Sequence, residues 1–445
     1  MNIQETAARI ERLLARHALD GWEILLGASR NLSIEVKEQQ VDSFKCSEPV
    51  GVSVRVLKDR RMGFSYSTSL SDADLARMID NAVMGAAAQT PDDAHCLPDP
   101  GPYPVIEGLF DEALETAGEE QKVALAMELE RLTLSADSRV KKVRKCSYGE
   151  MDYLVHIRNS RGVDSGYRGS SVSCSVSVLA EGDGDSQMGW DFGFSPYLSG
   201  LKIDGVARTA AGNALRLLGA RKIPTMRCPV VLDPFVATEI LEVLAPAFLA
   251  ENVHKGKSLL AGKVGEPLFS PLLRIRDDGT LPGGMSSSPF DAEGVAHRNT
   301  ILAEGGTLQG YLYDSFHARR DGVSSTGNCV RSGVKGVPHL GITNLFIENG
   351  AVPPADLVRG IDRGMLITDV MGMHTANPVS GDFSVGAAGL LVENGAITHP
   401  VKGVAIAGNI LDLFRSVDAV GNDLRLFGAS GAPSLRITAL DVSGE

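Results

Sequence analysis

Apolar and polar residues alternate along the first part of the chain with two different periods. Residues 3 to 19 carry an apolar stripe at helical spacing, which predicts an amphipathic helix. The stripe consists of Ile10, Leu13, Leu14 and Ala18. The stretches WEILLGAS, LSIEVKEQQVDSFKCSE and GVSVRVLKDRRMGFSYST then alternate as strands do. A second helix is predicted over LSDADLARMIDNAVMGAAAQ, where Ser71 is a candidate cap and Asp74 follows three residues later, as in a capping box.

The same order of patterns returns further along the chain. A strand-rich stretch from Met151 to Pro196 leads into the predicted helix IDGVARTAAGNALRLLGA, which Gly219 closes. Both regions contain an alternating strand, a polar turn, an aromatic-bearing strand and an alanine-rich helix. This predicts a weak internal duplication of a hairpin–helix unit. Such units are common enough that two of them can also look alike by chance.

The second half of the chain has more predicted strands and fewer predicted helices, and this change predicts a domain boundary. Three prolines, Pro224, Pro229 and Pro234, punctuate ARKIPTMRCPVVLDP, and prolines end helices and restrict strands to sheet edges. After the helix predicted over LEVLAPAFLAENVHKGKS come two hairpins, NTILAEGGTLQGYLYD and GLLVENGAITHPV. PADLVRGIDRGMLITDV is predicted as a short helix and SLRITALDVS as a closing strand.

These elements define the predicted fold class as α+β. Residues 1–222 are predicted to form an N-terminal α+β domain with repeated hairpin–helix units. Residues 223–445 are predicted to form a β-rich C-terminal domain of mostly antiparallel sheet.

Composition and charge narrow the functional classes. The 445 residues carry a formal net charge of -12, which argues against direct nucleic-acid binding because phosphate recognition needs a basic surface. No stretch is apolar for long enough to span a membrane, and the first residues lack the apolar core of a signal peptide. The six cysteines are scattered without a CxxC pair, which is typical of a reducing compartment. A cytoplasmic protein is therefore expected.

Local motifs reveal no catalytic set. Two glycine-rich stretches, DGVSSTGNCVRSG and MGMHTANPVSGDFSVGAAG, match neither phosphate-binding fingerprint. No two histidines have the spacing of a zinc-binding helix, although a constellation of His317, Cys329 and His374 stays open. Cys329 with His317 is also a candidate nucleophile, but a buried free thiol is the simpler interpretation. The loop serines Ser324, Ser325 and Ser384 lack a G-x-S-x-G context and are interpreted as backbone-bonded.

Longer blocks of sequence carry a resemblance that the short motifs do not. These are YLYDSFHARRDGVSSTGNCVRS, TNLFIENG and GDFSVGAAGLLVENGAITHPVKGVAIAGNILDLF, with EVKEQQVDSFKCSEPVGVSVRVLKDRRMGFSYS nearer the start. Together they resemble the PmbA/TldE branch of the TldD/PmbA family, over nearly the whole chain. The resemblance implies a metalloprotease system in which TldD-type chains carry H-E-x-x-x-H and a late cysteine as zinc ligands. It implies roles in peptide maturation and proteolysis, and an older description as a modulator of DNA gyrase.

The resemblance places LEVLAP where the zinc motif of a TldD-type chain would stand. Leu241 and Pro246 then replace the two histidines, while Glu242 keeps the glutamate. No cysteine follows Cys329, so the late ligand is missing as well. The expectations are no catalytic residue and no metal in this chain, with zinc in a TldD-type partner.

The resemblance also suggests a peptide cleft. Five residues of the HARRDGVSSTGN region resemble positions shared by both branches and form a substrate-cleft hypothesis: Asp314, Arg319, Thr326, Gly327 and Asn328. The expected partners are a TldD-type metalloprotease subunit in a heterodimer, or a second copy in a homodimer, and an extended peptide substrate. The alternatives are a non-enzymatic homodimeric binding or regulatory protein and a self-sufficient hydrolase with an unrecognised site.

Overall fold

A computed structural model describes residues 3–182 and 184–445 of the chain. Most of its ten α-helices are short, and only four have more than eleven residues. Three 3₁₀ turns lie at Leu198–Gly200, Gly333–Lys335 and Met373–Thr375, and a fourth, at Ala245–Phe248, follows α6 directly. The helices are α1 (Ile3–Leu14), α2 (Asp72–Ala87), α3 (Ala113–Thr116), α4 (Glu119–Ser135), α5 (Ile203–Leu215), α6 (Pro234–Leu244), α7 (Ala250–His254), α8 (Ser315–Asp321), α9 (Pro354–Arg359) and α10 (Ile410–Arg415).

The first seven strands form one antiparallel sheet in the order β4-β3-β1-β5-β6-β7, with β2 paired to the second half of β1. The strands are β1 (Gly21–Lys37), β2 (Gln40–Ser47), β3 (Val50–Lys58), β4 (Arg61–Ser67), β5 (Val140–Asn159), β6 (Asp164–Gly182) and β7 (Asp185–Ser195). Helix α2 packs on β3 and β4, and α5 packs on β6 and β7. Ser71 caps α2 by accepting the N–H of Asp74 at 3.2 Å, which confirms the predicted cap.

The two halves of this sheet repeat one hairpin–helix unit, as predicted. In each unit a glycine on the second hairpin strand lies directly beneath the helix backbone. A Cβ at Gly63 would collide with the carbonyl oxygen of Ala82 in α2, and a Cβ at Gly189 would collide with that of Ala210 in α5. The sheet therefore buries both alanine-rich helices at backbone contact distance, which only glycine permits.

The remaining strands form two six-stranded sheets and a small hairpin. They are β8 (Met226–Leu232), β9 (Ile275–Asp278), β10 (Asn299–Glu304), β11 (Thr307–Leu308), β12 (Cys329–Val330), β13 (His339–Leu340), β14 (Leu345–Ile347), β15 (Arg363–Met371), β16 (Asp382–Glu393), β17 (Ala396–Asn409), β18 (Val417–Val420), β19 (Arg425–Phe427), β20 (Ser430–Ala432) and β21 (Leu435–Ser443). The sheet orders are β11-β10-β9-β14-β20-β19 and β17-β16-β15-β8-β21-β18, and β12 pairs with β13. An additional β17–β21 pairing closes five strands of the last sheet into a ring.

Pairing between the strands of the second half is mostly antiparallel, and the parallel strand pairs are β15–β8 and β14–β20. One large apolar core fills this region and includes the inner face of α6. The hairpin at Asn394-Gly395 forms as predicted, with φ of 53° and 74° at its two turn residues. These observations confirm an α+β fold with a β-rich second half. The proposed division into residues 1–222 and 223–445 stays a prediction.

The predictions for the segments around β8 and β15 are wrong. Pro229 does not mark a sheet edge, because β8 lies between β15 and β21. The register of β21 slips between Ile437 and Leu440, which pair with Val230 and Cys228. This bulge lies opposite Pro229, the one residue of β8 that has no backbone N–H. A helix was predicted over PADLVRGIDRGMLITDV, but only the first six residues are helical, as α9. Most of the rest belongs to the largely buried strand β15.

Candidate functional site

Helix α6 carries the segment where the resemblance places the degenerate zinc motif. Asp233 caps the helix by accepting the N–H of Val236 at 3.0 Å, and Pro234 occupies the first turn. The helix ends at Leu244, and Pro246 lies in the 3₁₀ turn Ala245–Phe248. The prediction of one helix over LEVLAPAFLAENVHKGKS is therefore wrong. Proline cannot donate the N–H that a longer helix needs, so the chain turns and restarts at α7.

The two positions expected to have lost zinc ligands differ in burial. Leu241 is fully buried in the core and Pro246 is half-buried, while Glu242 lies on the exposed face of α6. Leucine and proline side chains have no lone pair to offer a metal. In the part of the chain that the structure describes, no three His, Cys, Asp or Glu side chains are grouped so that they could hold a metal ion. These residues do not fit zinc, and the expectation of a metal-free chain stays a prediction.

The other candidate chemistry from the sequence lies outside α6, although the 3₁₀ turn that holds His374 contacts this helix. His317 is paired through Nδ1 with Asp314 at 2.7 Å. Burial raises the pKa of Cys329 well above its ordinary value, so its thiol stays protonated. Ser325 donates to the carbonyl oxygen of Tyr313 at 3.0 Å, as predicted for a backbone-bonded serine. Ser384 was expected in a loop, but it lies within β16, because alternating burial continues through this segment.

The five cleft candidates fall into one loop region around α8, and four of them are buried. Asp314 caps α8 by accepting the N–H of His317 at 2.8 Å. Thr326 donates to the side-chain oxygen of Asn328 at 2.6 Å, and Asn328 donates to Asp277 at 2.7 Å. This buried chain of hydrogen bonds ties the loop to strand β9.

The other two cleft candidates differ in exposure. Gly327 has a φ of 75°, and a Cβ there would lie 2.5 Å from the carbonyl oxygen of Ala296. Both features require glycine. Arg319 alone among the five has an exposed side chain. Substrate contact by this group stays a prediction, and the described contacts of the four buried members are structural.

A cleft of about 440 Å³ opens beside the N-terminus of α6. One wall is formed by β7 of the first sheet and α5, and the other by α6, α9, β15 and β19. Trp190, Phe235 and Phe427 form an aromatic surface, with ring centroids 5.2 Å apart for Trp190–Phe235 and 5.4 Å apart for Phe235–Phe427. The structure thus joins, at one cavity, elements that lie far apart in sequence.

Carboxylates are concentrated around this cleft and along α6. Burial raises the pKa of Asp233 to about 6, against the opposing effects of the Val236 N–H and Arg216. Burial also raises the pKa of Asp369 on β15. The pKa of Glu239 is raised by its burial and then by the charges of Glu242 and Asp369. Glu242 therefore belongs to an acidic face that leads into the cleft.

The buried cap gives a testable pH dependence. Asn caps a helix about as well as Asp, but it does not ionise. Because the folded protein holds the Asp233 proton more tightly than the unfolded chain, the stabilisation by this proton is present below about pH 4 and is lost as the pH rises through about 6. Asp233→Asn should therefore gain stability relative to the wild type with rising pH, by up to about 3 kcal/mol at neutral pH.

The measurement is a series of chemical denaturation curves between about pH 4 and pH 8. Asp362→Asn is the matched control, because Asp362 is exposed and lies outside the cleft. A difference between Asp233→Asn and wild type that does not change with pH would contradict the prediction.

The sequence reasoning missed Asp233, Asp369, Arg216 and Trp190. The only local signal was Asp233-Pro234, since Asp before Pro is a typical helix start. Nothing in the pattern around the other three residues indicates that they share a cavity.

Comparison with known proteins places this geometry in a family. Three consecutive regions match the domains of PmbA/TldA metallopeptidases: domain 1 over residues 22–86, the central domain over 112–218 and the C-terminal domain over 225–444. The chain therefore belongs to the PmbA/TldD metalloprotease family, which confirms the family prediction.

Individual relatives cover nearly the whole chain. Metalloprotease PmbA of Escherichia coli O157:H7 is 28% identical over 454 residues, covering 100% of this chain and 96% of that protein. A metalloprotease TldD homolog of Haemophilus influenzae is 29% identical over 423 residues, covering 88% and 86%. Both types of family member are thus similar to this chain at comparable identity.

Solved structures agree with the fold. A Thermotoga maritima protein, named for a proposed role as a modulator of a DNA gyrase, superposes with a TM-score of 0.91 at 29% identity, covering 99% of this chain and 100% of that one. TldE from Thermococcus kodakarensis has the same fold, with a TM-score of 0.89 at 24% identity over 99% and 100% of the two chains. Among the described residues, no helix is both long and apolar enough to cross a membrane.

Proposed function

We propose that this chain is the metal-free partner subunit of a cytoplasmic zinc metalloprotease of the PmbA/TldE type. It shapes the peptide cleft beside a TldD-type chain, which holds the zinc and performs the hydrolysis. The observation that carries this proposal is the absence of zinc-binding side chains at the two expected ligand positions in and after α6. Where the resemblance expects two zinc ligands, Leu241 is fully buried in the core and Pro246 lies in the turn after the helix.

The cleft beside α6 supports the peptide-holding part of the proposal. Strand β7 is an edge strand of the first sheet, and Met188, Gly189, Trp190 and Asp191 of this strand line the cleft. Asn213 and Arg425 donate to the carbonyl oxygens of Trp190 and Phe192 on this edge, at 3.0 and 2.7 Å. An extended peptide that displaced these side chains could add to the edge through main-chain hydrogen bonds, which tolerate many sequences. The aromatic surface beside the edge would supply contacts for its side chains. This arrangement suits a role in proteolysis and peptide maturation, in which the substrate is an unfolded segment.

The test is zinc analysis and a peptidase assay of this chain alone, of a TldD-type chain alone, and of their mixture. We expect far less than one zinc per chain and no cleavage from this chain alone. The mixture should form a heterodimer and cleave peptides faster than the TldD-type chain does alone. The TldD-type chain alone is the control for activity that does not depend on this subunit.

The same experiment separates the alternatives. A homodimer that neither binds the TldD-type chain nor changes its activity would favour the non-enzymatic binding or regulatory protein. Close to one zinc per chain, with cleavage by this chain alone, would mean that it is a self-sufficient hydrolase. Either result would overturn the partner-subunit proposal.

A further inference from the structure

The cleft beside α6 has one apolar wall that is open to a ligand. Trp190 on β7 is 43% exposed, although its ring packs edge-on against Phe235. Such an exposed indole beside other aromatic rings can cover the apolar stem of a ligand, and its face attracts a cation. Arg425 is not the cation that covers the indole of Trp190, because its guanidinium lies over Phe427 at 4.7 Å and pairs with Asp191 at 2.6 Å.

The charged groups lining the cleft are unbalanced. Four carboxylates line it against two guanidinium groups: Asp191, Asp233, Asp369 and Asp423 against Arg216 and Arg425. Within the cleft, Asp191 is paired with Arg425, and Asp423 accepts the N–H and the hydroxyl of Ser434 at 2.9 and 2.7 Å. The remaining two carboxylates share one cation, Arg216.

Arg216 does not balance both of these carboxylates. Its Nη2 lies 3.5 Å from Oδ2 of Asp233, which is long for a charge-assisted hydrogen bond. Asp369 has no ion pair at contact distance among the residues that the structure describes. A positively charged group entering the cleft would therefore meet a carboxylate that no cation contacts within the described part of the chain.

A second observation at the same place points to a ligand. Thr368 is 4% exposed, lines the cleft, and its hydroxyl has no hydrogen-bond partner within the described part of the chain. Thr368 is the extra residue of a bulge, because Ile367 pairs with Gly389 and Asp369 already pairs with Ala388. Bulges re-aim side chains and are frequent beside functional sites, and an unsatisfied buried hydroxyl is costly.

We propose that this cleft is a binding subsite for a basic side chain, arginine or lysine, of a peptide. The aliphatic stem would pack on Trp190 and Phe235, and the cationic end would pair with Asp369 and Asp233. Arginine fits better than lysine, since its planar guanidinium both stacks on aromatic rings and forms paired hydrogen bonds to carboxylates. The inference deepens the proposed function and rests on it, because it names the side chain that the peptide cleft selects.

Trp190 provides a direct binding signal. The chain has two tryptophans, so a Trp22→Phe background leaves Trp190 as the only indole emitter. The probes are acetyl-Phe-Arg-amide, the same peptide with neutral citrulline in place of arginine, and the same peptide with glutamate. We expect a saturable change of emission with the arginine peptide. Citrulline should bind about tenfold or more weakly, and glutamate more weakly still, because only a cation gains the charge-assisted hydrogen bond.

Two matched variants test the carboxylate. Asp369→Asn removes the charge within the cleft and should weaken binding of the arginine peptide about tenfold, with little effect on the citrulline peptide. Asp362→Asn removes the same charge from an exposed position immediately before β15 and should leave both affinities unchanged. Circular dichroism of the two variants would establish that both are folded.

Four outcomes would overturn the subsite. The first three are the absence of any saturable signal, equal affinity for the arginine and citrulline peptides, and an equal loss in Asp362→Asn and Asp369→Asn. The fourth is that a TldD-type chain, or a second copy of this chain, changes the Trp190 emission and prevents the peptide from binding. The cleft would then be a contact between subunits.

This test separates the subsite from the partner-subunit proposal. If the mixed complex cleaves peptides but Trp190 detects no basic side chain, only the subsite is wrong. If the arginine peptide binds but the TldD-type chain gains neither a partner nor activity, the subsite stands and the proposed function fails.

Discussion

Arg55→Ala is expected to destabilise the protein by about 3–5 kcal/mol, because it would leave buried carboxylates without their cation. Arg55 on β3 is 7% exposed and donates to Glu23 on β1 and to Glu293 in the second half of the chain, each at 2.5 Å. Burial lowers the pKa of Arg55, but these two carboxylates outweigh it and raise the pKa above its ordinary value.

The network ties the first sheet to the second half of the molecule. Arg331, which follows β12, also donates to Glu23, and Glu293 accepts the N–H of Ser315 at 3.0 Å. Removal of Arg55 leaves Glu23 one cation, but among the described residues it leaves Glu293 only the neutral hydrogen-bond donors of Ser315. We therefore expect the loss to be greatest at the contact between the two halves.

The measurement is the shift of the first transition in guanidinium denaturation. Arg60→Ala is the control, because Arg60 pairs with Asp93 at 3.1 Å while both side chains are largely exposed, and such a pair contributes less than about 1 kcal/mol. The double variant Arg55→Met with Glu293→Met should recover part of the loss, since it buries no unpaired charge. Equal shifts for Arg55→Ala and Arg60→Ala would contradict the argument.

Locally encoded features of the fold were predictable from the sequence. The Asn394-Gly395 turn and the Ser71 cap depend on a few adjacent residues, and both form as expected. The hairpin–helix repeat was visible because alternation and alanine content recur together. In each case the physical cause lies within one short segment, so no distant contact can overrule it.

Predictions failed where distant elements decide the outcome. Strand β1 was expected as two strands, but it runs unbroken from Gly21 to Lys37, because β5 pairs along nearly its whole length while β3 and β2 take one half each. The helix through Pro246 was expected because apolar spacing continues across the proline. That spacing reflects burial in the core, which the 3₁₀ turn also achieves.

The candidate site was less predictable than the fold. Trp190, Asp233 and Asp369 come from a strand of the first sheet, a helix cap and a strand of the last sheet. Their meeting depends on how the first sheet lies against the second half, and no local pattern encodes that arrangement. The resemblance pointed to α6 itself, but it gave no sign of the cleft at its N-terminus.

Substitution of the glutamate retained on α6 should distinguish most clearly between this chain and a TldD-type chain as the source of the catalytic base. Glu242→Gln in this chain should change peptide cleavage by the mixed complex by no more than a few-fold. The equivalent substitution of the motif glutamate in the TldD-type partner should reduce cleavage by about 10²–10⁴-fold, the usual contribution of a general base. A glutamate acts as such a base only when an activated water lies within hydrogen-bond reach of its carboxylate.

Glu242 lacks the surroundings for that role. It lies on the exposed side of α6, while its neighbour Leu241 faces the core, and the described residues offer no group of metal ligands nearby. The charge of Glu242 helps to raise the pKa of Glu239, although burial of Glu239 has the larger effect. Glu266→Gln, at an exposed position outside α6, is the control for the loss of one surface carboxylate. A loss of about 100-fold or more from Glu242→Gln, with the heterodimer intact, would mean that this chain contributes a catalytic group and that the division of labour proposed for the two subunits is wrong.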